Sequence, residues 1–577
     1  MSNTAIFVRA LTIGIMLELA AVGIPPAKAQ SLTALYNFCS QGGPSCTDGS
    51  QPLAGLVQAT DGNFYGTTFK GGDYTWGTVF KLSPAGALTT LHSFCPQNGC
   101  PDGGYPQEEL TQATDGYFYG ATPTGGGGPG CGIRDICGTV FKIGSDGTLT
   151  KLYGFCSDGA CTDGRAPLAA LVQATDGNFY GTTVYGGKSG ICSSVLTDGC
   201  GTIFKITPGG TLTTLYRFGM NCSSGGVDCA DGEKPSAPLI QSTDGDLYGT
   251  TLYGGGSAAC TNGEGCGTVF KISPAGAFTT LYKFCSESNC ADGAYPKGAL
   301  VQAEEGNIYG TTSSGGTHGV GSVFKITPGG ACSLVYSFGS QSGDGQGPSA
   351  GLVRGRDGSF YGITQGGGSN GFGTIFRLAS DGAVTTLYSF CSQSGCTDGR
   401  YPTTPLIQGT DGSLYGTTYS GGSSGNGTAF RLTIGEAPSD FLEVSIDIKP
   451  GDATNTINLQ SSGVIAAAIL GSATFDPMTV EPSTVTLAGA PVATRGRGVP
   501  MTGVADVNHD GYLDLLLYFR TQDLQLTPAS TEAVLYGTTY SGQRIRGSDS
   551  VRVIVPPARL GREERTSPPG RFRRADW

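Results

Sequence analysis

Residues 53–68 read Leu-Ala-Gly-Leu-Val-Gln-Ala-Thr-Asp-Gly-Asn-Phe-Tyr-Gly-Thr-Thr, and the reading of this stretch decides the fold. Its centre, Asp61-Gly62-Asn63-Phe64-Tyr65-Gly66, returns at Asp115, Asp176, Asp244, Glu305, Asp357 and Asp411, at steps of 54, 61, 68, 61, 52 and 54 residues. Such self-similarity marks a repeat architecture. Asp-Gly is the strongest two-residue hairpin signal, because a type I′ turn needs φ > 0 at both positions. Outward from the turn, Asn63–Thr68 reads as a return strand and the Gly71-Gly72 loop leads to a third strand, Gly77–Leu82. Ser83-Pro-Ala-Gly86 then turns the chain into a fourth strand, Leu88–Phe94. Phe64 and Tyr65 point to opposite faces of their strand yet are both large, which predicts sheets covered on both faces. Four short antiparallel strands per unit describe a β-propeller blade. A linear β-solenoid is the alternative, but its coils are shorter than these units.

The two ends of the array complement each other. Leu32-Thr-Ala-Leu-Tyr-Asn-Phe38 matches a fourth strand but precedes the first full unit, and the last unit stops at its third strand, Gly427–Leu432. The expectation is an all-β chain whose residues 30–434 form a seven-bladed β-propeller, with residues 32–38 completing the last blade so that no sheet edge stays open at the seam. The composition agrees: the 98 glycines fall at turn positions between apolar strands, the arrangement of an ordered chain rather than a disordered one.

Arg9, the apolar run Leu11–Ile24 and Ala27-Lys28-Ala29 have the layout of a signal peptide cleaved after residue 29. No later run is long and apolar enough to span a bilayer. Eighteen of the 19 cysteines fall into close pairs: 39/46, 95/100, 131/137, 156/161, 192/200, 222/229, 260/266, 285/290 and 391/396. Six pairs lie in the loop after the fourth strand and three in the glycine-rich loop. In an exported chain these read as disulfides. Zinc is the alternative, but no pair has a second Cys or His pair at ligand spacing along the sequence. Cys332 is left over, at the position of Leu88 in its unit, and reads as a buried free thiol.

The recurring Leu-(Val/Ile)-Gln-x-Thr-Asp-Gly-x-(Phe/Leu)-Tyr-Gly-Thr-Thr-x-x-Gly-Gly, followed by Gly-Thr-(Val/Ile)-Phe-Lys and Leu-Thr-Thr-Leu-Tyr-x-Phe, resembles the GloVer tandem repeat over about residues 32–434. That resemblance implies an exported bacterial protein held at the surface by one of several C-terminal anchors, and says little about activity. The Gly-Gly after the return strand is similar to kelch repeats, and Asp-Gly-Asn-aromatic is similar to streptogramin-lyase propellers; both features are generic to propellers.

Residues 435–440 read as a linker and 441–555 as a second, β-sandwich-like domain, with Leu442–Lys449 one alternating strand and Gly463–Leu470 a strand buried on both faces or a short helix. This domain carries the strongest chemical motif, Asp506-Val-Asn508-His-Asp510-Gly-Tyr512-Leu-Asp514. Side-chain oxygens at positions 1, 3, 5 and 9, glycine at 6 and the Tyr512 carbonyl at 7 fit a loop wrapped around structural calcium. Leu517 stands where an EF-hand has glutamate, and Leu513–Phe519 reads as a strand. The loop therefore resembles the calcium loops of integrin-type FG-GAP hairpins; the bland alternative is an Asx-rich turn without metal. Ile446–Gly451 and Gly547–Val551 resemble a β-sandwich module of exported bacterial proteins. Residues 556–577 form a basic, Pro-rich tail, read as disordered and without an apolar anchor.

Chemistry beyond the calcium loop is sparse. The three histidines, His92, His318 and His509, stand at unrelated positions, and nothing suggests a Ser-His-Asp triad. Each unit pairs an acid at the hairpin with a base in the third strand (Asp61 with Lys81 in the first), read as a repeated surface position, with a polymer-binding ring of charge as the alternative. A net charge of −11 disfavours nucleic acid as a partner. The reading is an exported, secreted or surface-held, non-catalytic protein whose partner is an extracellular polysaccharide or protein. The alternatives are a secreted lyase or hydrolase of streptogramin-lyase type and a purely structural envelope component.

Overall fold

The computed structural model describes residues 30–434 and 441–554, except 44, 127–130, 132–135, 188–198, 220–221, 223–228, 258–259, 261–264, 453, 497, 528–529 and 542. The leader expected over 1–29, the linker 435–440 and the tail 556–577 lie outside the described residues. Contacts divide the chain into two compact units, Met1–Gly435 and Glu436–Trp577.

Among the described residues the first unit contains seven antiparallel sheets of four or five strands, one per repeat, and one two-stranded ladder, Gly345–Gln346 with Gly366–Gly367. In the first, Val57–Gln58, Phe64–Thr68, Thr78–Leu82 and Leu88–Ser93 pair in that order. The strand expected from Leu53 shrinks to Val57–Gln58, because the backbone before it serves a neighbouring sheet. The carbonyl of Ala54 accepts the Thr417 hydroxyl of the seventh repeat (3.0 Å), and that of Ala350 accepts the Thr311 hydroxyl of the fifth. The ends of the array pair as expected: Ser31–Asn37 runs antiparallel to Thr428–Thr433 and completes the last sheet.

The hairpin turns behave as their chemistry dictates. Asp61 Oδ1 accepts the Asn63 amide, while its Oδ2 accepts the Tyr65 hydroxyl (2.9 Å) and Lys81 Nζ (2.8 Å). Tyr65 and Lys81 are cross-strand partners, so the ladder itself delivers both donors. Burial alone would raise the Asp61 carboxyl, but the hydrogen bonds from Lys81, Asn63 and Tyr65 outweigh it and hold the acid well below the usual carboxylate range. Tyrosine meets the turn acid in the same way in all the other repeats. Acid and base pair directly in the first, third and sixth repeats (Asp61–Lys81, Asp176–Lys205 and Asp357–Arg377), while Lys271 pairs with Asp246 and Lys142 lies over the Tyr117 ring.

Both faces of each sheet are covered. Tyr65 stacks on Phe118 of the next sheet at 4.1 Å, Tyr119 on Phe179 at 3.9 Å, and Tyr415 of the seventh lies 4.3 Å from Phe64 of the first. Gly66 makes room for this packing, since a Cβ there would collide with the Phe80 ring. A second set of links joins the sheets near their turns. The backbone N–H of Thr60 is taken by Gln112, that of Thr114 by Gln173, Thr175 by Gln241, Thr243 by Gln302, Arg356 by Gln408 and Thr410 by Gln58, which returns the series to the first sheet.

One link is different. Between the fifth and sixth sheets Glu304 replaces the threonine and Arg354 the glutamine, and the two form an ion pair. An exposed pair of this kind is worth about 0–1 kcal/mol and weakens with salt. Arg354→Gln would install the neutral link used elsewhere. Its stability should stay within about 1 kcal/mol of wild type at low salt and equal or exceed it at high salt. Thermal melts at two ionic strengths check this, and a large loss at both would give Arg354 another role.

In the second unit, two sheets share one apolar cluster containing Ile448, Ile469, Leu517 and Phe519 from one sheet and Leu487, Leu535 and Ile545 from the other. The strand expected over Leu442–Lys449 is broken in two. Phe441–Glu443 pairs in parallel with Arg544–Arg546, whereas Ile446–Ile448 pairs antiparallel with Ala467–Ile469 of the opposite sheet. Val464–Ile469 is a strand exposed at its start and buried at its end, which settles the strand-or-helix alternative. Across the described residues the helices are short 3₁₀ turns, and no helix is long and apolar enough to cross a membrane.

Candidate functional site

A second Asp-Gly recurs once per repeat in the loop after the fourth strand: Asp48, Asp102, Asp163, Asp231, Asp292, Asp344 and Asp398. These acids are turned inward. Each accepts from the ring at one fixed fourth-strand position, a tyrosine hydroxyl in six repeats (2.7–2.9 Å). In the remaining repeat it accepts from His92 Nε2, at 2.9 Å from Asp102. His92 therefore stands at a repeat position after all, as a substitute for tyrosine. Most of these acids also take loop backbone amides, such as Ser392 N to Asp398 at 2.8 Å. The motif was visible in the sequence as a second Asp-Gly series, but it follows no alternating strand, so nothing local marks it as a buried loop anchor.

What the anchor holds in place is a segment of variable side chains that reaches the surface in some repeats and is buried in others, as at Ser50, Ala166, Glu233 and Ala294. Directly after it, each repeat makes an antiparallel bridge to the residue just beyond the return strand: Ser50–Lys70, Gly104–Thr124, Arg165–Tyr185, Glu233–Tyr253, Ala294–Ser314, Gln346–Gly366 and Arg400–Ser420. The geometry repeats while the side chains differ. The next residue is held at φ between +52° and +62° throughout, yet six of the seven are not glycine: Gln51, Tyr105, Ala166, Lys234, Tyr295 and Tyr401, with Gly347 in the sixth repeat. Positive φ is unfavourable for such residues by about 1 kcal/mol or more, and strain of this kind concentrates at functional sites. Aromatic groups gather here, Tyr105 lying 4.6 Å from Trp76 and 5.1 Å from Phe69, and Tyr401 lying 5.4 Å from Phe372. Between the fifth, sixth and seventh repeats the same surface sinks into an open depression of about 400 Å³, lined by Ser313, Ser314, Gln346, Gln365 and Tyr401. Amides, hydroxyls, the Val320 side chain and one aromatic ring line it, without a charged group among them.

A further feature breaks the repeat. Where other units have Ala54-Gly55 or Ala350-Gly351, the second has Glu108-Glu109. Glu109 lies against Gly55, where a Cβ would strike its carboxylate, and its Oε1 is buried without a hydrogen-bond partner. Burial pushes Glu109 from 4.5 to about 7; burial, and then the neighbouring Glu109, raises Glu108. A folded-state carboxyl raised in this way stabilises fully below pH 4.5, and that contribution is lost as pH rises towards 7. The amount is at most about 3 kcal/mol. Melts of wild type and Glu109→Gln from pH 5 to 8 should therefore diverge, with the variant gaining relative stability towards pH 8. Parallel profiles would show that Glu109 ionises freely.

In the second unit, residues 506–513 connect the antiparallel strands Thr502–Ala505 and Asp514–Arg520, so the segment after the loop is a strand. Asp506 accepts the amides of Asp510 (3.2 Å) and Gly511 (3.0 Å). The Asp510 amide is shared with Asn508 Oδ1, also at 3.2 Å, and this places the oxygens of Asp506 and Asn508 beside one another. Asn508 Nδ2 in turn donates to Asp510 at 2.9 Å. Asp514 behaves differently: it is fully buried, and its two oxygens take the amides of Gly471 and Val507, each at 2.8 Å. The carboxylates of Asp506, Asp510 and Asp514 are not gathered within 4.8 Å of one another; among the described residues only cysteines form groups of three or more that close. Tyr512 is exposed. Below the loop, burial raises Asp447, and so do the negative Asp549 and Asp514.

Eight of the nine expected cysteine pairs are disulfides in the structure, and Cys192 lies outside the described residues. Cys332 is free, pairs across from Ile326 as Leu88 does from Leu82, and is half-buried rather than fully enclosed. Burial pushes its thiol up to about 12, which makes it unreactive.

Among solved structures, the chain is similar to the extracellular domain of a one-component system from B. thetaiotaomicron (12% identity, TM-score 0.40), covering 92% of this chain and 58% of that one. It is also similar to a fungal alcohol oxidase of the AA5 family in complex with copper (12%, 0.43), covering 88% and 99%. A third is a luciferin-regenerating enzyme (11%, 0.34), covering 70% and 95%. No curated protein matches it. The profile of the Gloeobacter/Verrucomicrobia repeat matches residues 24–259, 132–304 and 256–466, and with the repeat now traced through seven sheets, the chain belongs to that family.

Proposed function

We propose that residues 30–434 form a closed seven-bladed β-propeller of an exported protein that binds a neutral extracellular polysaccharide without catalysing its conversion. Closure is supported by the Ser31–Asn37 pairing and by the Gln58–Thr410 link between the first and last repeats. The binding role is carried by the depression beside Tyr401: an aromatic face for a sugar ring, with amides and hydroxyls for its hydroxyl groups. Export accords with the disulfides. A lyase would need a His–carboxylate centre, and the His92–Asp102 pair instead occupies the structural Tyr–Asp position of its repeat. The test is Tyr401→Gly. Gly347 already fills this position in the sixth repeat, so the variant should keep or raise the melting temperature while losing retardation in gels containing neutral polysaccharides. Equal retardation of both proteins, or of neither in any neutral polysaccharide, would overturn the reading.

The second unit is a β-sandwich-like module that calcium steadies at Asp506, Asn508, Asp510, Tyr512 and Asp514. Support comes from the all-oxygen donor set and from the Asp510 amide, which draws the side-chain oxygens of Asp506 and Asn508 together. The ion would supply only charge neutralisation and loop order, with Asp514 sharing its lone pairs between the metal and the Gly471 and Val507 amides. Millimolar calcium should raise the melting temperature of the second unit, and EDTA with excess magnesium should not. A free energy of about 2.7 kcal/mol is expected at a hundredfold excess over Kd. An Asp506→Ala protein that still responds to calcium would remove the assignment.

A further inference from the structure

Three repeats, the second, third and fourth, carry two cysteine pairs, one in the glycine-rich loop and one in the loop after the fourth strand. Along the sequence these pairs are separate. In space they meet. The sulfurs of Cys260, Cys266, Cys285 and Cys290 all lie within 4.8 Å of one another, and Cys260 Sγ is 3.6 Å from Cys285 Sγ. Cys131, Cys137 and Cys156 gather in the same way, as do Cys200, Cys222 and Cys229. Two disulfides that each restrain their own loop have no need to touch, yet in all three repeats sulfurs of both pairs converge.

We propose that Cys260, Cys266, Cys285 and Cys290 form a four-sulfur site for a soft tetrahedral divalent metal ion of the zinc class, filled when the chain is in its thiol form. A zinc tetrathiolate with Zn–S of about 2.3 Å has sulfur–sulfur edges of about 3.8 Å. The Cys260–Cys285 contact already has nearly that length. Opening the two S–S bonds lets the two bonded edges lengthen, and the other edges, all within 4.8 Å, need change by no more than about 1 Å, within reach of side-chain rotation. Cys260, Cys266 and Cys285 are buried, so the site is shielded from water. Sequence spacing hid it, because the second ligand pair is supplied by a different loop of the same repeat.

The redox balance is explicit. Two equivalents of a dithiol reductant give four electrons and four protons to the two disulfides and leave as disulfides themselves. The four thiols then release protons as their sulfurs bind the ion, and an oxidant of the disulfide class restores both bonds once the metal has gone. The metal-bound and disulfide forms are thus alternative states of the same four sulfurs.

The test uses the full chain, reduced with a phosphine under argon and refolded with zinc or with EDTA. Iodoacetamide labelling is then read by peptide mass spectrometry. Zinc should slow alkylation of Cys260, Cys266, Cys285 and Cys290 by about tenfold or more, because the bound thiolate is no longer the free nucleophile. The isolated pairs Cys39/Cys46 and Cys391/Cys396 serve as internal controls and should show no change. Cobalt in place of zinc should give the visible bands of a tetrahedral sulfur site, weaker in Cys260→Ser/Cys285→Ser. Equal labelling with and without zinc, including the case in which the reduced chain does not refold, would overturn the proposal. So would protection of the control pairs to the same extent, or protection of Cys266 and Cys290 that survives the double substitution.

Discussion

Removing residues 30–38 is expected to lower the melting temperature of the repeat unit by about 10 °C or more. The segment supplies a whole strand, Ser31–Asn37, to the last sheet. It also supplies Phe38, which is fully buried and meets Phe80 of the first sheet edge-on at 5.2 Å. Phe94, Phe155, Phe218, Phe284, Phe338 and Phe390 make the same contact with the third-strand phenylalanine of the repeat that follows. Phe38 is thus the seventh member of a uniform set, and the one that joins the two ends of the array. Without it, the Thr428–Thr433 edge loses its partner and the Asp48 carboxylate loses the Tyr36 hydroxyl. Phe38→Ala is the milder test, with an expected loss of about 3–5 kcal/mol by denaturant titration. A truncated protein that melted as the full chain does would show that the seam contributes nothing, and the ring reading would fall with it.

The repeat itself was legible because its signals are local. Asp61-Gly62 fixes a turn within two residues, and the adjacent large residues Phe64 and Tyr65 declare two covered faces. The matching of Leu32–Phe38 to a missing last strand needed only the comparison of one repeat with another. What the sequence hid was what depends on neighbours. Gln112 looks like an ordinary strand-end residue until the Thr60 amide, 52 residues earlier, is found beside it. Glu304 and Arg354 look like unrelated departures from the repeat until they prove to be partners. The cysteine clusters are invisible along the chain, because the two pairs that meet come from different loops of one repeat. Leu442–Lys449 alternates cleanly, yet it splits between two sheets, since period-two patterning records which face is buried and not which sheet buries it. In the loop 506–513, spacing identified the oxygen-bearing residues, but not that Asp514 would be committed to two backbone amides.

The inward acids carry the other large effect, and Asp398 shows why. It is 1% exposed, and its Oδ2 accepts the Tyr388 hydroxyl (2.7 Å), the Ser392 amide (2.8 Å) and the Ser392 hydroxyl (2.9 Å). Burial, followed by the carboxylate itself and opposed by Ser392, pushes Tyr388 up to about 12. The phenol therefore stays protonated and donating at any pH below its ordinary range. Asp398→Ala removes the acceptor of four donors, the fourth being the Gln393 amide on Oδ1. Hydrogen bonds to a charged group contribute about 1.5–3 kcal/mol each but do not add fully, so a loss of about 3–5 kcal/mol is expected. Asp398→Asn keeps one acceptor oxygen and should lose roughly half as much. Because Gly399, Arg400 and Tyr401 follow directly, the same substitution should also loosen the wall of the depression and weaken polysaccharide retention while much of the protein is still folded. Tyr388→Phe separates the two effects, since it removes one donor and leaves the carboxylate to hold the Ser392 amide, so its loss should be near 1 kcal/mol with binding kept. If Asp398→Ala lost less than Tyr388→Phe, the buried acid would be a tolerated charge rather than the anchor that fixes the loop.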